Sequence, residues 1–469
     1  MRRAITAGLF LAFSTAGLWA QVLKPADIND SNVYKMGGSM TEYIAPDEPS
    51  EKAPKGFKPF YISTYARHGS RYLLDAPQYH QPYDILKAAQ DKGVLTDFGK
   101  TVLDRVEIMM NDAEGRLGDV TQKGMRQHRG IAHRMVESYP EIFSGKGRIE
   151  ARSTTVPRVI LSMMSGVSEI ARMRPSLEIK YDGSGVDSQY LTHWDSEINS
   201  FRNGRERSQA HSALCAKLTH PERLMTALFK DTTFITRYES RVETRMFPMM
   251  GMGGPVPGSA SQNATVMIQD MSSTLYTKLY DLAANMQSHD LGIDLNDVFT
   301  YQEWYDMFLT NNAYWYSVSA FTPVTGSVVP YGVSTLLQNI LDQADAAIAG
   351  NGVSANLRYG HDTYLYPLVC LMQINDCAWE VEDFEHIADK WVAYDIVAMA
   401  SNLQLVFYRD RQGTLLVKPR LNEKDASLPF DCYTDAKGRE YPHYYRWDKF
   451  RSYYMNVLQE WETKRKELN

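Results

Sequence analysis

Cysteine is scarce in this chain: 469 residues hold only Cys215, Cys370, Cys377 and Cys432. None of them forms a C-x-x-C pair, which argues against a zinc ribbon or finger. No cluster of His, Asp, Glu and Cys has metal-ligand spacing, so neither a metal nor another cofactor is expected. Positive charge is also in short supply. Fifty Lys and Arg face 56 Asp and Glu, for a net charge of −6, and so acidic a chain is a poor general binder of nucleic acid. Beyond the N-terminus no apolar run is long enough to cross a bilayer.

What is present is ordinary for a globular protein, with 44% hydrophobic and 23% charged residues. The length implies two domains, or one domain with a large insertion. Arg2 and Arg3 precede the apolar run from Ala7 to Ala16, and Ala20 follows as a small residue for cleavage. This pattern predicts a secretory signal peptide over residues 1–20, and therefore export to the periplasm or beyond. No cysteine follows the run, which argues against a lipoprotein anchor. Cleavage removes two arginines and leaves 48 basic against 56 acidic side chains, a net charge of −8. After export the four cysteines could pair, and the sequence leaves all three connectivities open.

The most informative stretch is Tyr61-Ile-Ser-Thr-Tyr-Ala-Arg-His-Gly-Ser-Arg71. Its first half alternates β-branched and aromatic residues and reads as a buried strand. It stops at Arg67-His68-Gly69-Ser70-Arg71, where two guanidinium forks flank one imidazole. In an open α/β sheet, ligands bind beyond the carboxyl ends of strands. Arginine is the preferred planar ligand for phosphate, and an imidazole beside a phosphate can attack it. The motif resembles the R-H-G-x-R-x-P signature of the histidine phosphatase superfamily, acid-phosphatase branch, with Leu73 in place of the last proline. The preceding Pro54–Phe60 segment is similar to bacterial relatives of multiple inositol polyphosphate phosphatases and phytases.

The rest of the chain falls into order around this motif. Residues 21–59 are rich in Pro, Asp and Lys and read as a surface lead-in, and residues 75–115 have mixed helical patterning. Thr121 is placed to cap a helix whose apolar face runs through Met125, His128, Ala132, Met135 and Val136. Gly118, Thr121, Gly124 and Gln127 match the family's G-x-L-T-x-x-G-x-x-Q pattern, and His128 reads as a packed residue. A second strand near Gly147–Ala151 leads to Arg152-Ser-Thr-Thr-Val-Pro-Arg158 and an amphipathic helix. Arg158 then sits in a first helical turn, where backbone N–H groups and the dipole favour an anion. Residues 246–255, rich in Gly, Pro and Met, read as a packed irregular loop. Further on, a helix over 336–348 and a strand over 355–359 lead to Gly360-His361-Asp362-Thr363, which resembles the family's GHDT motif. A hairpin over 403–421 and a packed amphipathic tail helix complete the reading.

The resemblance implies an α/β fold, a three-layer sandwich on a mostly parallel sheet (phosphoglycerate mutase-like) with an inserted, mainly helical cap. Residues 21–175 and 326–469 would form the core and 176–325 the cap. It also implies roles: His68 as nucleophile, Arg67, Arg71, Arg158 and His361 as phosphate ligands, Asp362 as leaving-group acid. The cap offers Arg202, Arg205 and Arg207 as further substrate contacts. The expected activity is hydrolysis of phosphomonoesters through a phosphohistidine, with inositol polyphosphates leading among organic phosphomonoesters. The inositol-phosphatase branch with a His-Ala-Glu motif lacks the aspartate this chain keeps at Asp362. A phosphate-binding protein without catalysis, and a phosphotransferase on the same fold, are the alternatives. The expected partner is a small-molecule substrate, with no nucleic acid and no stable membrane insertion after signal cleavage.

Overall fold

The computed structural model describes residues 23–145, 147–192, 194, 196–244 and 263–468. The expected signal peptide over 1–20 and the Gly/Pro/Met-rich loop over 246–255 lie outside the described residues. The central sheet contains β1 (Lys58–Arg67), β2 (Arg148–Ser153), β3 (Ile179–Asp182), and, much later in the chain, β6 (Val353–Gly360), β7 (Asn402–Arg409) and β8 (Leu415–Leu421). Between them in sequence, β4 (Tyr238–Thr244) and β5 (Asn263–Gln269) form a separate antiparallel ladder. Across the main sheet the order is β8-β7-β1-β6-β2-β3, extended beyond β8 by the short Tyr445–Arg446 strand. β1, β6, β2 and β3 are parallel, whereas β7 and β8 are antiparallel additions at one side.

Register matters most here. Arg67 pairs with Gly360, and Ser153 pairs with Tyr359. The carboxyl ends of β1, β6 and β2 therefore arrive level, and the residues that follow each strand emerge side by side. That is the edge at which open α/β sheets bind ligands.

Helices follow in chain order: α1 (Pro77–Asp91), α2 (Asp97–Ala113), α3 (Gln122–Ser138), α4 (Pro157–Met173), α5 (Ser188–Leu191), α6 (Ser196–Arg202), α7 (Arg205–Leu218), α8 (Glu222–Leu228), α9 (Thr233–Thr236), α10 (Ser272–Asn285), α11 (Tyr301–Ser317), α12 (Ser334–Ile348), α13 (Asp362–Leu371), α14 (Ala393–Ile396) and α15 (Trp447–Leu468). The period-two pattern of β1 sends Tyr61 and Tyr65 to one face and Ile62 and Ala66 to the other. On the first face they join a core with Leu337, Ile340 and Leu341 of α12, Leu365 of α13 and Phe450 of α15. On the second they join Ile131, Ala132, Val159 and Met163 from α3 and α4. These two cores and the sheet make the three layers. A third core lies apart from the sheet. It joins Leu86 and Val106 of α1 and α2 to Leu224, Leu279 and Phe308 of α8, α10 and α11.

The lead-in departs from the reading of its composition. Val33, Met36, Gly37, Gly38 and Ser39 are buried in a run of 3-10 turns, and Thr41 and Tyr43 are buried after it. Apolar residues within a charged stretch decide its fate, because one buried Met or Val outweighs several exposed charges. Among the described residues no helix is long and apolar enough to cross a membrane.

Behind the sheet, a buried polar network ties this lead-in to β8. Lys418 is fully buried and its Nζ lies 2.8 Å from Asp425 Oδ2, with further donation to Ser50 Oγ and the Glu51 carbonyl. Burial alone would push the Asp425 carboxyl up, but Lys418, the Glu51 N–H and Ser50 hold it below its ordinary value. Asp425→Ala leaves a buried ammonium without its counter-ion, which should cost about 3 kcal/mol in denaturant unfolding at neutral pH. A carboxylate whose folded value is depressed contributes stability above its unfolded pKa, near 3.9. The wild-type advantage should therefore be full at neutral pH and shrink as pH falls below about 4. A pH-independent difference would rule out the ion pair as its source.

Candidate active site

The site is assembled at the level strand ends. His68 follows β1, Thr154 follows β2, and His361 and Asp362 follow β6. Arg158 comes from the first turn of α4, and Asp362 is the first residue of α13. Two helix N-termini thus open toward one place, each with free backbone N–H groups and the positive end of its dipole.

His68 is buried, and its Nδ1 lies 2.9 Å from the carbonyl of Gly69. A carbonyl only accepts, so Nδ1 carries the proton and the lone pair is on Nε2. Burial, then Arg67, Arg71, His361 and Arg158, holds the His68 imidazole neutral well below its ordinary range. His361 stands with its ring 5.7 Å from that of His68, edge to face. Burial depresses it to about 4, against the opposing pull of Asp362. Its Nε2 lies 3.2 Å from Thr154 Oγ1, and its backbone N–H donates to the Tyr65 hydroxyl. That hydroxyl occupies the space where a Cβ on Gly360 would stand, so only glycine fits there.

Arg67 is held from three sides. Its NH2 makes a 2.7 Å ion pair with Asp362 Oδ2, and its NH1 donates to the carbonyls of Ser39 and Val397. Burial pushes the Asp362 carboxyl up, but Arg67, Arg71 and His361 outweigh it and keep the acid below its ordinary value. Arg71 donates through NH1 to the Tyr72 carbonyl, and burial among other cations lowers its pKa to about 10. Arg158 is likewise lowered, first by burial. The Nε–H groups of Arg67, Arg71 and Arg158 are all buried without a hydrogen-bond partner. Three orphaned cationic donors around one neutral imidazole have the charge and donor chemistry that a tetrahedral dianion requires.

The loop between His68 and Arg71 is gripped by α3. Ser70 N–H donates to Gln127 Oε1, Gln127 Nε2 donates to Ser70 Oγ, and the Ser70 carbonyl accepts from the N–H and hydroxyl of Thr121. Thr121 also caps α3 by accepting from Gly124 N–H. Gly69 N–H donates to Ser162 on α4. Gly69 and Gly124 touch backbone to backbone: a Cβ on Gly69 would stand 2.6 Å from Gly124 Cα, and one on Gly124 would stand 2.7 Å from Ser70 N. Asn285, at the end of α10, donates to the Arg71 carbonyl at 3.0 Å.

The other residues singled out from sequence fall in distinct places. His128 is buried against the edge of Tyr359, beside the site and not in it. Arg152 faces away, paired with Asp187 at 3.3 Å and Glu150 at 3.8 Å. Arg202 lies 4.6 Å over the Trp194 ring, donates to the Val318 carbonyl and is within electrostatic reach of Asp362. Arg207 packs over Tyr314 with its Nε buried and unpartnered, while Arg205 is exposed. Ser39, Val397, Tyr65, Thr154, Ser162 and Asn285 were not foreseen as parts of the site. Thr154 and Ser162 carried a faint signal, one inside the Arg152–Arg158 stretch and one a polar residue on the apolar face of α4. Main-chain carbonyls carry none.

The sequence profile of the histidine phosphatase superfamily (branch 2) matches residues 63–422. No curated protein matches the chain. Among solved structures, the multiple inositol polyphosphate phosphatase of Bifidobacterium longum, in complex with inositol hexasulfate, superposes with a TM-score of 0.71 at 17% identity, covering 89% of this chain and 97% of that one. The phytase from D. castellii gives 0.61 at 14% identity, covering 91% and 85%. At these identities the likeness is one of fold.

The Gly69–Gly124 contact provides a test of how the site is held. Gly124→Ala should push the Ser70 loop off α3 and displace the arginines. With the arginines displaced by about 1 Å, binding of inorganic phosphate should weaken by about 100-fold in titration calorimetry. Gly130→Ala, on the same helix but facing only the flexible Arg134 side chain, should leave it unchanged. Equal effects of the two would show that helix propensity, and not the loop contact, is at work.

Proposed function

The chain belongs to the histidine phosphatase superfamily, branch 2, and is a phosphatase; we propose that it hydrolyses phosphomonoesters through a phosphohistidine on His68, and that inositol polyphosphates are its substrates. The observation that carries this reading is the neutral His68 imidazole with its lone pair on Nε2, set among three buried guanidinium groups whose Nε–H donors have no partner.

The steps follow from these groups. The arginines and His361 take up the phosphoryl oxygens and neutralise charge that spreads over them in the transition state. His68 Nε2 attacks phosphorus while the ester oxygen leaves on the opposite side. Because His68 stays neutral well below 6.5, it remains a nucleophile in acid. Asp362 delivers the proton to the leaving oxygen and then takes one from the water that cleaves the phosphohistidine. In the free protein its pairing with Arg67 favours the ionised carboxylate. A phosphate dianion drawn between the arginines competes for Arg67 and raises the Asp362 pKa toward the protonated form. The reading therefore favours activity at acidic pH. Asp281, on α10, is a further carboxyl within electrostatic reach of Arg71: burial pushes it up, against Gln78, Lys278 and Arg71.

Substrate class rests on the cap. A polyphosphorylated ring carries charge beyond the first phosphate and needs cations outside the clamp. The reading takes Arg202 and Arg207, beside Trp194 and Tyr314, as those cations, and Arg202 is within electrostatic reach of Asp362. The Bifidobacterium longum protein, of the same fold, was solved with inositol hexasulfate. We take residues 21–175 and 326–469 as the catalytic core, 176–325 as the cap, and residues 1–20 as the export signal.

Rapid quenching with labelled substrate tests the chemistry. An acid-labile, base-stable phosphoenzyme should form and be absent in His68→Ala. In Asp362→Asn the burst should slow by roughly 10²–10⁴-fold for an alkyl phosphate and far less for p-nitrophenyl phosphate, whose phenolate leaves without a proton. Equal slowing would move the acid role to Asp281. A panel of acceptor alcohols separates hydrolysis from phosphotransfer.

Cap specificity is tested separately. Arg202→Gln with Arg207→Gln should raise KM for a hexakisphosphate by at least about tenfold, the effect of roughly 1.4 kcal/mol of lost binding. KM for a simple monoester should move little. Equal changes for both substrates would place these arginines outside the substrate's reach.

A further inference from the structure

Four cysteines left three pairings open on sequence, and the fold brings one pair together. Cys370 lies in the last turn of α13, and Cys377 follows a short 3-10 turn over Ile374–Asp376. Both are buried, and their sulfurs are 3.6 Å apart, in van der Waals contact. The residues between them are unusual. Gln373, Asn375 and Asp376 have φ of 52°, 51° and 59°, and none is glycine. Left-handed backbone costs energy in each such residue, and it persists only where the surroundings over-determine it. Non-covalent ties are present: Tyr454 of α15 donates to the Met372 carbonyl at 2.7 Å, and Asn375 exchanges hydrogen bonds with Ser427.

We propose that Cys370 and Cys377 form a disulfide that closes this eight-residue loop and staples the far end of the helix that begins at Asp362. Two thiols in contact at the ends of a strained loop fit this chemistry better than two independent packing residues. A disulfide needs its sulfurs about 2.05 Å apart, which small side-chain rotations from contact supply. The bond forms before the pair is buried, by exchange with a disulfide of glutathione or of a protein oxidant. One cysteine thiolate attacks that disulfide and displaces a thiol. The second thiolate then attacks the mixed disulfide, so the Sγ–Sγ bond forms and the oxidant leaves as two thiols, carrying two electrons. An exported chain meets oxidising conditions, whereas in the cytosol glutathione and thioredoxin keep thiols reduced. The consequence is mechanical. α13 is anchored covalently at one end while its first residue faces Arg67 at the other.

The test reads thiol chemistry and is indifferent to whether the phosphatase reading of the site is right in its details. The full chain is refolded in a reduced/oxidised glutathione buffer, denatured without reductant, alkylated and digested with trypsin. No Lys or Arg occurs between Arg358 and Lys390, so one peptide holds both cysteines. It should appear unalkylated and two hydrogens lighter than its reduced form, and reductant should then expose both thiols to alkylation. Reductant should also lower the thermal midpoint of the wild type by about 3 °C and leave a Cys370→Ser, Cys377→Ser double variant unmoved. Alkylation of both cysteines before reduction, in protein equilibrated with oxidised glutathione, overturns the proposal. The peptide readout needs only the wild-type chain and stands even where the variant does not fold.

Discussion

Like charges in a small buried volume are the constraint on which the rest of this structure turns. Arg67, Arg71 and Arg158 stand around two imidazoles, with Asp362 as the carboxylate in direct contact. Cations away from water repel one another and lose hydration. The protein meets this in three ways. It directs main-chain carbonyls to the arginines, from Ser39, Val397 and Tyr72. It ties Arg67 to Asp362. It also lets the two histidines shed their charge, which burial and the arginines both favour. What remains is a set of orphaned donors that, in the proposed mechanism, an incoming phosphate dianion satisfies. In that mechanism, the energy stored in holding them apart from water is available for binding phosphate and its transition state.

Such a cluster survives only on a stiff support. β1, β2 and β6 end level because their parallel register pairs Arg67 with Gly360 and Ser153 with Tyr359. A shift of one residue would turn each strand's side chains to the opposite face. Around the turn after β1 the backbone approaches α3 so closely that glycine is needed on both sides, at Gly69 and Gly124. Thr121 and Gln127 then satisfy the loop's polar groups. The G-x-x-T-x-x-G-x-x-Q pattern is therefore a clamp for the loop from His68 to Arg71 as much as a helix start.

The regions assigned to core and cap are less separate in space than in sequence. α1 and α2, which follow the nucleophile motif, pack into the same apolar cluster as α8, α10 and α11. Asn285 of α10 reaches back to the Arg71 carbonyl. α10 and the loop after β1 are thus joined by this hydrogen bond as well as by a shared core. Substitutions in α10 are expected to be felt at Arg71.

The residues that the fold brings together at the strand ends were legible in the sequence because their signals are local. Strand periodicity followed at once by Arg67-His68-Gly69-Ser70-Arg71, the first-turn position of Arg158, and Gly360-His361-Asp362 each needs only neighbours along the chain. The mostly parallel sheet and the hairpin at its side were readable for the same reason. Tertiary structure alone decided the rest. Whether the lead-in lies on the surface or supplies the Ser39 carbonyl to Arg67 depends on packing that no composition reports. Arg152 and Arg158 look alike in the sequence, yet strand direction turns one toward Asp187 and helix α4 turns the other toward His68. Arg202 and Arg207 differ from Arg205 only by which side of the chain meets Trp194 and Tyr314. Residue types carry chemistry, but burial, register and main-chain partners carry position, and those exist only once distant segments have met.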